Sequence, residues 1–327
     1  MSETYTIEFP IIIPSSMEIA IDEISRYEST LKFTLSNKEV YYCLKIEGFK
    51  EESEAVEYIC KINAGLLWLT LNKGLPTIAL LQPQKFEYSD DSERAAKNLN
   101  AMGKNYLKVD ALVDSNKPVV YKSDRVIAKS VLYPPTISAP FSGEEVFESI
   151  IEGISFDHGD KIIQDKKLKV AIELYGAYFT ENSDNARFLT LVMALEVLTD
   201  ATKRPGYLLR LINKWEGHLK NCEDELSNDT DKLKEIASIK SSLGNMKNNS
   251  LTKELQNLVL SSLEQNGDQD ATDMAELMKH IYDDRSRLVH NGFLETQKLK
   301  NNIRNTKNLV ERILKIKFLD IQNKSHN

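Results

Sequence analysis

Residues 281–292 read IYDDRSRLVHNG and set Arg285, Arg287 and His290 within six positions, in a chain with only five histidines. Imidazole exchanges a proton near neutral pH, and a guanidinium fork stays charged and grips phosphate oxygens. At 100° per residue with Leu277 at zero, Ile281, Leu288 and Met274 fall at about 40°, 20° and 60°, so these four face the core. Arg285 then sits at the edge of that face near 80°, and His290 lies roughly 140° around and about 7.5 Å along from it. Asp284 points inward with Leu277 and Leu288 and demands a buried donor. Gly292 or Asn291 suits a left-handed C-cap. An ordinary charged surface accounts for the same residues: Asp283 and Arg287 suit an ion pair, and His290 suits the negative end of the helix dipole.

The elements that must position these groups lie in a helix-rich second half. The stretch ARFLTLVMALEVLTD, capped by Ser183 or Asp184, places Phe188, Leu191, Val192 and Leu195 on one face and Leu189, Met193 and Val197 on much of the other. A helix apolar nearly all round is buried by neighbours. Glu196 is the only charge between Arg187 and Asp200. It must pair with a basic side chain, either as a plain structural ion pair or as the holder of an arginine in an active site.

At 327 residues the chain is long enough for two domains, and 41% apolar with 28% charged residues is ordinary globular composition. The first 140 residues mix patterns: YTIEFPIIIP reads as a strand, two β-rich runs flank residues 36–39 as a hairpin, and TIALLQPQKFEY is a further strand. Between them SEAVEYICKINAGLLWLTLNK reads as a helix capped by Ser53, with Ala55, Ile59, Ile62, Leu66 and Leu69 on one face. Pro134, Pro135 and Pro140 mark a connector. Helices follow at 143–156, 161–181, 184–202, 206–220, 230–263 with an interruption near Gly244, 271–290 and 295–321. The expected architecture is an α+β domain over 1–140 followed by an all-α bundle over 141–327.

Composition also sets bounds on function. The opening MSETYTIEFP has no secretory pattern and no apolar run approaches a bilayer span, which reads as cytoplasmic without a membrane partner. Cys43, Cys60 and Cys222 form no CxxC pair. His218 and Cys222 are two ligands at most, and His158, His280 and His326 belong to no cluster, so no metal or cofactor is expected. The formal charge of −7 argues against indiscriminate coating of nucleic acid but permits a local basic surface. Residues 295–317 supply one: Lys298, Lys300, Arg304, Lys307, Arg312, Lys315 and Lys317 against Glu295 and Glu311.

YDDRSRLVHNG resembles the signature of the HEPN superfamily, an arginine followed after four to six residues by a histidine, and ARFLTLVMALEVL resembles the earlier acidic helix of its Apea-like branch. The likeness covers about 145–320. It implies a helical bundle that dimerises so that Arg285 and His290 of both chains line one cleft, as in metal-independent ribonucleases of phage defence. Glu196 matches the acidic position, with Asp284 as a second supporting group. Relatives of that kind often carry Asn, Asp or His directly after the arginine; Ser286 stands here, polar but short-armed.

The chemistry so implied is metal-independent cleavage of RNA by its own 2′-OH, leaving a 2′,3′-cyclic phosphate and a 5′-OH. His290 would move the proton, and Arg285 would hold the phosphate. Arg287, Lys298, Lys300, Arg304 and Lys307 are candidate RNA contacts, and Tyr282 suits stacking on a base, although packing and a solvated helix face explain the same residues. The implied partners are RNA such as tRNA, a second copy, and a phage-derived trigger or regulatory protein. A noncatalytic HEPN module binding RNA, nucleotide or protein is the alternative, with the first 140 residues as a sensor, regulatory or RNA-selecting domain in either case.

Overall fold

The computed structural model describes residues 4–14, 17–38, 42–77, 111–114, 118–125, 127–130, 140–156, 159–226 and 229–323. An N-terminal mixed β/α region is followed by a C-terminal all-α bundle. The strands are β1 (Tyr5–Ile11), β2 (Glu18–Ala20), β3 (Glu23–Glu28), β4 (Leu31–Asn37), β5 (Tyr42–Phe49), β6 (Ala111–Asp114), β7 (Val119–Lys122), β8 (Ile127–Ser130) and β9 (Pro140–Ser142). Helix α1 (Glu52–Lys73) lies among them. After β9 come α2 (Gly143–Ser155), α3 (Gly159–Gln164), α4 (Lys166–Thr180), α5 (Asp184–Leu198), α6 (Gly206–Glu225), α7 (Thr230–Met246), α8 (Leu251–Gln265), α9 (Ala271–Asn291) and α10 (Thr296–Asn323).

The chain forms two compact units, Met1–Thr190 with Lys317–Asn327, and Leu191–Ile316. The change to helices thus falls at 140–143, whereas the division into units falls inside α5 and again inside α10.

In the first unit β3-β4-β5-β1-β7 form one antiparallel sheet. Alternation in β1 sends Ile7, Phe9 and Ile11 inward, where they meet Ile59, Ile62, Leu66 and Leu69 of α1 and Phe147 and Ile150 of α2 in one core. The face read for α1 is therefore its buried face, with Ala55 included. Helices α1 and α2 cross closely because neither carries a side chain at the crossing: a Cβ on Gly153 would stand 2.7 Å from Gly65 Cα. The expected β4–β5 hairpin is present, but Ser36 and Asn37, expected between the strands, still pair in β4 with Cys43 and Tyr42. Ser53 is not the α1 cap; the helix starts two residues earlier than that cap implies, with Glu51 at the N-cap position and no side-chain cap hydrogen bond. TIALLQPQKFEY after Thr77, Pro134, Pro135, His158 and His326 lie outside the described residues.

One expected long helix is two, and the interruption expected near Gly244 falls just past it. The 161–181 helix breaks at Asp165, whose carboxylate accepts from Leu168 N at 3.0 Å and starts α4. The 230–263 helix runs through Gly244 and stops at Met246, and Ser250 then caps α8 by accepting from Lys253 N. A capping side chain competes with continuation of the helix, and in both places it wins.

Candidate functional site

Helix α9 runs unbroken from Ala271 to Asn291 and ends on Gly292, whose φ of 70° is the left-handed cap, its N–H donating to Leu288 O at 2.9 Å. Its buried residues are Ala271, Ala275, Met278, Ile281, Asp284 and Leu288. Met274 and Leu277 are only half-buried, so the core-facing arc is turned from the one expected. On the same wheel it spans roughly −20° to 160°, which puts Arg285 near its centre rather than at its edge.

What Arg285 meets there is Glu196. Oε1 of Glu196, on α5, lies 3.2 Å from Nε of Arg285, with side-chain exposures of 17% and 24%. Both atoms are fully buried, yet the N–H is not aimed well enough at the oxygen to make a hydrogen bond. The pair is a charge contact with bonding capacity unspent on both sides, an unusual state for buried polar atoms. Tyr282 completes the setting, with the guanidinium carbon 5.7 Å from its ring centroid. The Tyr282 hydroxyl is pushed above its usual pKa by burial first and by the Glu196 carboxylate second, against the opposing pull of Arg285.

Asp284 finds one buried donor, Asn302, and one half-exposed, Lys298. Its Oδ1 accepts from Lys298 Nζ at 2.5 Å and its Oδ2 from Asn302 Nδ2 at 3.0 Å, both on α10. Arg287 also pairs with Asp284, at 3.5 Å, and not with Asp283 as expected. Asp284 therefore fastens α9 to α10, while Arg285 pairs with Glu196. The Asn302 amide, itself buried, was missed in the sequence; its spacing of four from Lys298 was the available signal.

The remaining groups spread out. His290 is exposed in the last turn of α9, on the side away from Arg285, and Ser286 is half-buried. Along α10, Lys307 and Lys315 pair with Glu311, and Arg312 grips Asp270 and Asp268. The Arg312 guanidinium is raised above its usual pKa chiefly by its hydrogen bond to Asp270, and the Asp270 carboxyl is lowered by the same bond. Lys300 and Arg304 stay exposed on one face, with no ion pair to either among the described residues. Met193 is 43% exposed, so α5 is not covered all round; Phe188, Leu191, Val192 and Leu195 are its buried side.

Among the described residues, no three histidines, cysteines or acids are grouped to hold a metal ion, and no helix is long and apolar enough to cross a membrane. Comparison of the chain with protein-family models, curated proteins and solved structures returned no match.

Proposed function

We propose that the chain is a cytoplasmic, metal-independent endoribonuclease of the HEPN kind, acting in phage defence on cellular RNA such as tRNA and answering to a phage-derived trigger or regulatory protein. The observation that carries this reading is the Glu196–Arg285 contact. A carboxylate from the acidic helix named by the resemblance meets the arginine of the RxxxxH stretch and holds it beside a tyrosine ring. Such an arginine is pre-oriented for a phosphate at small entropic cost.

In the reaction a base removes the 2′-OH proton, the 2′-oxygen bonds to phosphorus, and the bond from phosphorus to the 5′-oxygen breaks as that oxygen takes a proton. His290 carries a proton in one of these transfers. Arg285 faces the charge that gathers on the phosphoryl oxygens. Since His290 lies on the far side of a continuous helix from Arg285, the two act together across a pair of chains.

The same separation favours a second reading, a noncatalytic module that binds RNA, nucleotide or protein. Cleavage of a mixed RNA pool in excess EDTA distinguishes them. The wild type should yield 2′,3′-cyclic phosphate ends, and His290→Ala should reduce them at least about 100-fold, the size of a general acid or base contribution. His290 is exposed, so the variant should keep the wild-type melting curve. Wild-type protein that binds RNA and produces no such ends would establish the binding module.

A further inference from the structure

Where α1 ends, the chain turns back on itself. Gly74 stops the helix at a φ of 67°, which glycine adopts without strain, and Leu75–Thr77 returns along the last turns. Thr70 Oγ1 lies 3.0 Å from Leu75 O and 3.2 Å from Leu66 O, and Thr77 Oγ1 donates to Leu66 O at 3.1 Å. Helix α4 reaches this returning segment at Gly176, where a Cβ would stand 3.1 Å from Pro76 Cβ and 3.3 Å from Thr70 Cγ2.

A pocket of about 380 Å³ lies there. Leu67, Thr70 and Ile172 line it from buried positions, and Glu173, Ala177 and Thr180 from exposed ones, so it opens to solvent at α4. Ile13, Pro14 and Pro76 add apolar wall. The hydroxyl ties to Leu66 O and Leu75 O hold residues 75–77 in place whatever fills the space. A preformed, mostly apolar cavity of this size, within the roughly 300–1,000 Å³ of small-ligand sites, takes a small molecule.

The polar atoms of the lining are one-sided. The hydrogens of Thr70 and Thr77 are turned to backbone carbonyls, and Thr180 Oγ1 donates to Ala177 O at 3.0 Å. What the three hydroxyls have left is acceptor capacity. Pro14 and Pro76 carry no N–H. The one ionisable group on the lining is the Glu173 carboxylate. Its Oε1 pairs with Lys169 Nζ at 3.1 Å, and a carboxylate has about four lone-pair sites, so that contact does not exhaust it. An anion entering the pocket would meet like charge and find no side-chain donor. A donating head on an apolar body would find acceptors.

We infer that this pocket binds a small apolar molecule whose polar end is a hydrogen-bond donor without negative charge, an amine or alcohol on a hydrocarbon body. It lies wholly within Met1–Thr190 and does not rest on the ribonuclease reading, so binding is measured without RNA. Cyclohexylmethylamine, cyclohexylmethanol and cyclohexanecarboxylate share one body and differ in the head; each is titrated calorimetrically into the full chain at neutral pH. The amine and the alcohol should bind with Kd on the order of 1 mM or tighter, and the carboxylate at least about 10-fold more weakly. Glu173→Gln should weaken the amine at least about 5-fold and leave the alcohol within about 2-fold, since only the amine gains from the charge. Ala177→Trp, which sets an indole on the exposed rim, should weaken both at least about 10-fold.

Failure of both the amine and the alcohol to bind overturns the inference, as does a carboxylate that binds as tightly or binding indifferent to the two substitutions. Should Ala177→Trp lower the melting temperature, methyl resonances of the wild type decide: shifts at Ile13, Ile172 and Thr77 that saturate together support the pocket, and shifts confined to other residues refute it.

Discussion

The two compact units spend their polar groups differently. Among the described residues of Met1–Thr190 the buried polar groups are hydroxyls and one amide, with Lys169 the lone buried charge, and the core between sheet, α1 and α2 is apolar. In Leu191–Ile316 two carboxylates are buried, and each fastens chain that is distant in sequence. Glu254 accepts from Thr202 N at 2.9 Å and from Thr202 Oγ1 at 2.6 Å, and Asp284 accepts from Lys298 and Asn302. Apolar area holds the first unit; directed contacts to acids set positions in the second. Buried acids are a poor source of net stability, so their use where Arg285 must be placed is consistent with a demand for position over strength.

That contrast can be broken at its strongest point first. Phe147→Ala empties the apolar core of the first unit and should cost about 3–5 kcal/mol in chemical denaturation. A loss below about 1 kcal/mol would mean the core does not carry that unit.

Asp284→Ala should cost less, about 2 kcal/mol, because half-exposed Lys298 can turn to water while the Asn302 amide is left buried without its acceptor. Hydrogen exchange should localise the loosening to α9 and α10. Protection lost evenly through both units would show that Asp284 is no local fastening.

The smallest effect is expected at Asp270. Its pKa is depressed by Arg312, so the stability it contributes is present above its unfolded value of about 3.9 and disappears as pH falls through the lower folded value. The melting temperature of the wild type should exceed that of Asp270→Asn at neutral pH, and the two should converge in acid below about pH 4. A gap unchanged by pH would contradict the assigned cause.

How much of this was legible in the sequence depended on whether a signal was local. The extent of α9 and its Gly292 stop followed from residues in place, and Glu196 announced its need for a cation by standing alone in an apolar helix. That the cation is Arg285, 89 positions on (285 − 196), is a fact of packing that no local pattern carries. The rotation of α9 was misjudged because Leu277 outranks Ala271 and Ala275 in hydrophobicity, whereas small residues are what close helix contact selects. Neither the order β3-β4-β5-β1-β7 nor the break at Asp165 emerged, whereas the interruption expected near Gly244 falls a few residues on, before Ser250: strand order is non-local, and a capping residue inside an apolar rhythm resembles a solvent-facing one.

The ion pairs along α10 carry a consequence for any nucleic acid that lies there. With Lys298, Lys307, Arg312 and Lys315 already matched to carboxylates, Lys300, Arg304 and half-buried Lys317 are left to displace condensed counterions. A single strand bound to that helix would lose about 2.1 powers of ten in affinity per tenfold rise in salt, the slope for three phosphates neutralised. Such a grip weakens markedly between dilute and physiological buffer, though far less than one made by all seven cations would, and it leaves the choice of strand to contacts other than charge.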